Sequence, residues 1–253
     1  MKNKSFITLL SVSLLAFSSC SDFLDTLPAS RTEINSTDKI SPLLVSAYPT
    51  TLPLLIGELS SDNVMDNGGQ FDTDELIEKL YLWDSPSISS YDSPYALWEG
   101  CYAAIASANM ALEGIENLGS PASLNPQRGE ALVCRAYSHF LLANVFCMPY
   151  NPNTAESHLG IPYRTRTGDS VYPENTERGS LKNTYEQIAA DLEAGLPLIK
   201  DAAYEVPKYH FNRKAANAFA ARFYLYYQKW DKVIECANIA IGSNPVTALR
   251  NWE

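Results

Sequence analysis

The chain has 253 residues, 46% of them hydrophobic, with 19 Lys+Arg against 29 Asp+Glu and a net charge of −10. That length and apolar content suffice for one large core or two small ones. So acidic a balance is a poor match for nucleic-acid phosphates or anionic lipid headgroups, whose binding is led by Lys and Arg, and fits a neutral ligand or a protein partner better.

Residues 1–19 read as an export signal: Lys2 and Lys4, an apolar run over residues 6–17 broken by Thr8, Ser11 and Ser13, then Ser18, Ser19 and Cys20. The run is about a dozen residues, short of the roughly 20 that a membrane-spanning helix takes. "FSSC" resembles a bacterial lipoprotein signal, in which the cysteine takes a diacylglycerol and the new N-terminus is acylated; Phe17 stands where Leu is usual. Two or more acyl chains, at about 0.8 kcal/mol per buried methylene, make a stable anchor. Cys20 is therefore the expected lipid attachment site, and loss of the two leader lysines takes the net charge from −10 to −12.

The segment 20–90 is expected to be loop-rich. Pro28, Pro42, Pro49, Pro53, Gly57, Gly68, Gly69 and Pro86 punctuate it, and prolines at 49 and 53 oppose a long helix there. From residue 91 to 253 the texture is helical. Leu97, Cys101, Ala104, Ile105, Ala108, Leu112 and Ile115 recur at three- and four-residue steps over 94–118, as do Val133, Ala136, Tyr137, Phe140, Leu141 and Asn144 over 128–147.

Pro149 stops that second helix and opens an irregular stretch at 149–180, long for a plain connector and a candidate binding loop. Further helices follow at 181–199 (Tyr185, Ile188, Leu192, Leu196, Ile199), capped by Ser180, and after Asn212 (Ala216, Phe219, Ala220, Phe223, Tyr224, Tyr227). A last one at 230–242 is expected to bury Val233, Cys236, Ala237, Ala240 and Ile241. No strand alternation competes, so the fold class is all-α. Ala221, Tyr224, Trp230, Ala237, Ala240 and Pro245 fall at the small, aromatic and Pro positions of a tetratricopeptide hairpin, a unit that needs neighbours to bury its faces. Trp98 and Trp230 are expected in the core.

Cys101, Cys134, Cys147 and Cys236 are far apart in apolar helical stretches without a CxxC pair, so they read as buried thiols, with one disulfide an open alternative.

"CSDFLD", "LWEGCYAAIASAN", "RGEALVCRAYSHFLLANVF", "LGIPY", "TYEQIAADLEAGLPLI" and "RKAANAFAARFYLYYQKWDKVIECANIAIG" stand in the order and spacing of the SusD/RagB family, and the chain resembles that family from residue 20 to about 245. The resemblance implies tetratricopeptide-like helical hairpins with long irregular loops. It also implies a lipid-anchored outer-membrane protein at the cell surface that captures nutrients, chiefly glycans, for a SusC-like TonB-dependent transporter. Family members carry a second, loop-rich half, and this sequence matches only the first. A helical lipoprotein scaffold for protein docking, or a truncated fragment without function, are the alternative readings.

Nothing in the sequence points to catalysis. His139, His158 and His210 are scattered, no HExxH, GxSxG or phosphate-binding glycine loop occurs, and His139 reads as a hydrogen-bonded helix residue one turn after Arg135. Asp72 and Asp74 read as solvated loop acids. No cofactor or metal is expected beyond the lipid on Cys20; "DNVMDNGGQFDTDE" puts Asn63, Met65, Asn67 and Asp74 at calcium-loop positions, but Met is the wrong ligand.

Glycan recognition asks for a flat ring against the sugar's C–H face and polar groups for its hydroxyls. Asp62, Asn63, Asp66, Asn67, Tyr81 and Trp83 supply both, and in an extended segment Tyr81 and Trp83 would share a face. Trp83 could equally pin the loop to the helices.

Overall fold

The computed structural model describes residues 34–69, 74–86, 90–168, 177–242 and 244–248; Cys20 and Asp72 lie outside them. The helices are α1 Ile40–Leu44, α2 Leu54–Leu59, α3 Glu75–Tyr81, α4 Pro94–Asn117, α5 Asn125–Phe146, α6 Leu181–Gly195, α7 Arg213–Tyr226, α8 Trp230–Ile241 and α9 Pro245–Ala248. Among the described residues the only β pairing is a bridge between Leu159 and Ser180. The expected all-α architecture is the one observed, and no helix of the described residues is long and apolar enough to cross a membrane.

Local chemistry sets where the long helices begin. The Ser93 hydroxyl accepts the Ala96 amide at α4, with Pro94 in the first turn; Ser180 accepts Asn183 at α6, and Asn212 accepts Ala215 at α7. The sequence places α6 to residue 199, but the helix ends at Gly195 and continues as a 3₁₀ turn over Leu196–Leu198, where Pro197 has no amide to donate.

Within the compact unit Asn35–Glu253, α5 packs on two cores. One core joins its Val133, Ala136 and Phe140 to Ile188 and Leu192 of α6 and to Phe219 and Phe223 of α7. A second joins its Leu141 and Leu142 to Leu97, Cys101 and Ile105 of α4, Leu76 and Leu80 of α3 and Ile56 of α2. Being covered on several sides, α5 also buries Ala131 and Cys134, which a single-stripe reading passes over. At its start it crosses the end of α6 glycine to glycine: a Cβ on Gly129 would stand 2.7 Å from the Gly195 carbonyl and 2.9 Å from Leu198 Cβ.

The described residues of 34–86 hold more regular structure than the turn formers suggest, with α1, α2 and α3 as short helices. Ile40, Leu44 and Ala47 are fully buried. Tyr48 then latches this segment to the scaffold: its hydroxyl donates to Glu130 Oε1 at 2.6 Å and accepts the Phe211 amide at 2.6 Å, while His210 Nδ1 stands 2.8 Å from the same Glu130 oxygen. The carboxylate at the centre of this latch is wholly buried.

The loop after α5 is a strap rather than an open binding loop in its described part. Tyr163 stacks on His139 with ring centroids 3.8 Å apart, and its hydroxyl donates to Asp191 at 2.6 Å. Arg135 donates to the Thr165 carbonyl, the Asn109 amide donates to the carbonyls of Arg164 and Arg166, and Tyr102 donates to the Pro162 carbonyl. His139 is the helix residue expected: Nδ1 faces the Arg135 carbonyl at 2.8 Å, and Nε2 accepts the Arg164 amide at 3.1 Å. Burial lowers its pKa to about 3, so it is neutral.

α8 departs from expectation. Of the five residues assigned to its buried face only Cys236 is buried, and Trp230 is 58% exposed rather than in the core. The helix packs chiefly on α7, and no further helix of the described residues covers its other side. Trp98, expected in the core, is partly buried and packs against its edge, beside Tyr102 and Phe146. All four described cysteines are free thiols, and burial pushes the Cys101 thiol up to about 12.

Candidate functional site

The site grows from the way α3 is held. Asp74 caps it, accepting the Leu76 amide at 2.8 Å, and Leu76 and Leu80 enter the core shared with α2 and α4. Ser60, just after α2, donates to the Leu80 carbonyl at 3.1 Å and ties the two helices together. With 76 and 80 inward, the helical period turns Ile77, Glu78 and Tyr81 outward to the other side.

The loop from Ser60 to Gly69 folds back opposite that outer face. Ser61 donates to the Glu58 carbonyl and accepts the Asn63 amide, and Asp66 accepts the Gly68 amide at 2.8 Å. Between loop and helix lies a cavity of about 360 Å³, lined by Leu59, Val64, Met65, Asp66, Asn67, Gly68, Gly69, Ile77, Glu78 and Tyr81.

Of the six residues singled out in the sequence, Asp66, Asn67 and Tyr81 line this cavity, whereas Asp62 and Asn63 are exposed on the same loop outside it. Trp83 is not in the lining. It is 80% exposed, so it does not pin the loop to the helices. Nor do Tyr81 and Trp83 share the face of an extended segment: Tyr81 is the last residue of α3, and Trp83 follows it in the left-handed region at φ 59°. Its amide donates to the Leu80 carbonyl, and the Asp84 amide donates to the Lys79 carbonyl, so the closing turn of α3 fixes the conformation that projects the indole.

Sequence reading missed Ile77 and Glu78, which look like the solvated face of an amphipathic helix. The legible signal was a doubled apolar stripe in "ELIEKLY", with 76 and 80 entering the core and 77 and 81 facing the other way. Among the described residues no group of three or more His, Cys, Asp or Glu stands together.

A larger groove of about 550 Å³ lies between the end of α6 with its 3₁₀ turn and the α7–α8 hairpin. Its floor holds Asn217 and Tyr224, both almost fully buried, and its rims carry Glu193 and Arg213 with the Lys232–Glu235 pair at 3.5 Å. Burial, with the charges of Glu193 and Glu235 adding to it, raises the Tyr224 pKa, so its hydroxyl stays protonated.

Residues 22–225 match the model of the SusD-like family described as starch-binding and associating with the outer membrane. No curated protein matches the chain. Among solved structures, a SusD superfamily protein from Bacteroides thetaiotaomicron aligns at 23% identity and TM-score 0.62 over 81% of this chain and 46% of its own. One from Bacteroides fragilis aligns at 21% and 0.65 over 83% and 50%. Surface glycan-binding protein A from Bacteroides fluxus aligns at 24% and 0.55 over 80% and 43%. The chain thus spans about half the length of the solved relatives it matches, or somewhat less.

Proposed function

The chain belongs to the SusD-like family, and on that premise we propose that it is a carbohydrate-binding surface protein. The observation that carries this reading is the cavity between loop 64–69 and α3. Tyr81 brings an aromatic ring to it, and Asp66, Asn67 and Glu78 bring partners for sugar hydroxyls. Trp83, held out in solvent two residues beyond Tyr81, supplies a second ring for a longer oligosaccharide. Binding without turnover is the activity proposed, in keeping with a family described by starch binding.

Attachment to the outer-membrane surface through a lipid on Cys20, and delivery of the glycan to a SusC-like TonB-dependent transporter, complete the proposal. The leader sequence supports the first and the family resemblance the second. Titration of the full chain with a panel of neutral oligosaccharides tests the reading. Wild type is expected to bind at least one, and Tyr81→Ala to bind it about tenfold more weakly, the equivalent of roughly 60 Å² of sugar face at about 25 cal/mol per Å². A wild type that binds none contradicts it.

The groove between α6 and the α7–α8 hairpin favours a second reading, docking of a protein segment. Its polar floor of Asn217 and Tyr224 suits a polypeptide backbone, and its rims carry charges of both signs. A SusC-like barrel whose co-purification is lost on Asn217→Ala or Tyr224→Phe, with glycan binding intact, would favour that role.

A further inference from the structure

The cavity between loop 64–69 and α3 has a charge imbalance that bears on which glycans enter it, and the inference rests on the carbohydrate-binding reading above. Its lining holds two carboxylates, Asp66 and Glu78, and no Lys, Arg or His. The lysine next in sequence to Glu78 is engaged elsewhere. Lys79 Nζ stands 3.8 Å from Glu75, 3.7 Å from Asp84 and 3.4 Å from the Ser85 carbonyl, so it faces the start and end of α3 and not the cavity. Asp66 uses Oδ1 on the Gly68 amide; among the described residues neither its Oδ2 nor the Glu78 carboxylate meets a cation. Two uncompensated carboxylates in a concave site with Leu59, Val64 and Ile77 in its wall concentrate negative potential there.

We infer that Asp66 and Glu78 are specificity-determining residues that make the cavity select amino-bearing over neutral saccharides, and neutral ones over saccharides carrying uronate or sulfate. A protonated sugar amine placed among the hydroxyl-binding groups gains a charge-assisted hydrogen bond to either carboxylate. A sugar carboxylate in the same position is repelled by both, and no guanidinium or ammonium offsets the repulsion. Because Asp66 and Glu78 are exposed, water and salt screen them, and each step of the ranking is about fivefold at low ionic strength.

The test is calorimetric titration of the full chain with three β-1,4-linked tetrasaccharides, of glucose, glucosamine and glucuronic acid, at about pH 6, where an amine carries its proton. The expected order is glucosamine, then glucose, then glucuronic acid, collapsing in high salt and in Asp66→Asn/Glu78→Gln. Asparagine at 66 still accepts the Gly68 amide, so the loop turn survives. Equal affinities in wild type, tightest binding of the glucuronic acid tetramer, or an order unchanged in the double variant overturns charge selection and leaves carbohydrate binding standing. Binding of none of the three by wild type goes against the carbohydrate site itself, and the selectivity falls with it.

Discussion

Arg135 and Asp191 form a two-pronged ion pair across α5 and α6, Nη2 to Oδ1 at 2.6 Å and Nε to Oδ2 at 2.8 Å, with both residues at least nine-tenths buried. Asn109 of α4, Tyr163 and Thr165 complete the same network, so one pair of charges ties three helices and the strap together. Removing one partner leaves a buried charge uncompensated. Asp191→Asn should lower the unfolding free energy by about 3–5 kcal/mol in urea titration and loosen the strap. A loss below about 1 kcal/mol would mean that the network is not what holds it.

His139 makes stability depend on pH. Its pKa falls from 6.5 to about 3 in the folded protein, mainly through burial. Below pH 6.5 the unfolded chain takes up a proton that the folded chain refuses. Stability should therefore fall as pH drops from about 6.5 towards 3, by roughly 1 kcal/mol per pH unit from this group alone. Urea melts across that window on wild type and His139→Gln should show a shallower dependence in the variant; parallel curves would contradict the assignment.

The Gly129–Gly195 crossing is equally specific. Gly129→Ala puts a methyl 2.7 Å from a backbone carbonyl that cannot move without unseating α6, and should cost about 1–3 kcal/mol. Gly57→Ala meets nothing within 4 Å and should be neutral or stabilising by up to about 1 kcal/mol. Thermal melts that do not separate the two variants would refute the close approach.

Anchoring is tested at the leader. On the proposal that a thioether at Cys20 carries the diacylglycerol, Cys20→Ala should be absent from the outer-membrane fraction and should not incorporate labelled palmitate. Continued labelling would place the anchor elsewhere.

What could be read from the sequence follows from which residues have neighbours on one side only. α4, α6 and α7 show a clear stripe because each turns one face to the core. α5 hid most of its burial because it is enclosed, so Ala131 and Cys134 fall off any single stripe. α8 was given too much burial for the opposite reason: the tetratricopeptide pattern at Trp230, Ala237 and Ala240 presupposes a further neighbour, and the described residues provide none. At the site, residues 66, 67 and 81 were named from their types, and the structure brings these three to one cavity. The geometry failed where Tyr81 and Trp83 were treated as a period-two pair, because seven residues from Glu75 close a helix and the turn that ends it sets Trp83 at positive φ.

Trp83→Ala separates binding from stability. With the indole 80% exposed, the melting midpoint should not move, whereas truncating a buried Trp costs about 3–5 kcal/mol. Glycan affinity should drop about tenfold if roughly 60 Å² of sugar face rests on the ring. A lowered midpoint with unchanged affinity would make Trp83 structural after all.

Hydrogen exchange with and without a bound neutral oligosaccharide tests the site most directly, because it reports where the sugar sits without altering a side chain. Protection is predicted at the amides of residues 64–69 and 77–83, on the two walls of the cavity and the turn bearing Trp83. A saturating glycan that leaves those amides unchanged, or protects only the groove between α6 and the α7–α8 hairpin, would contradict the assignment.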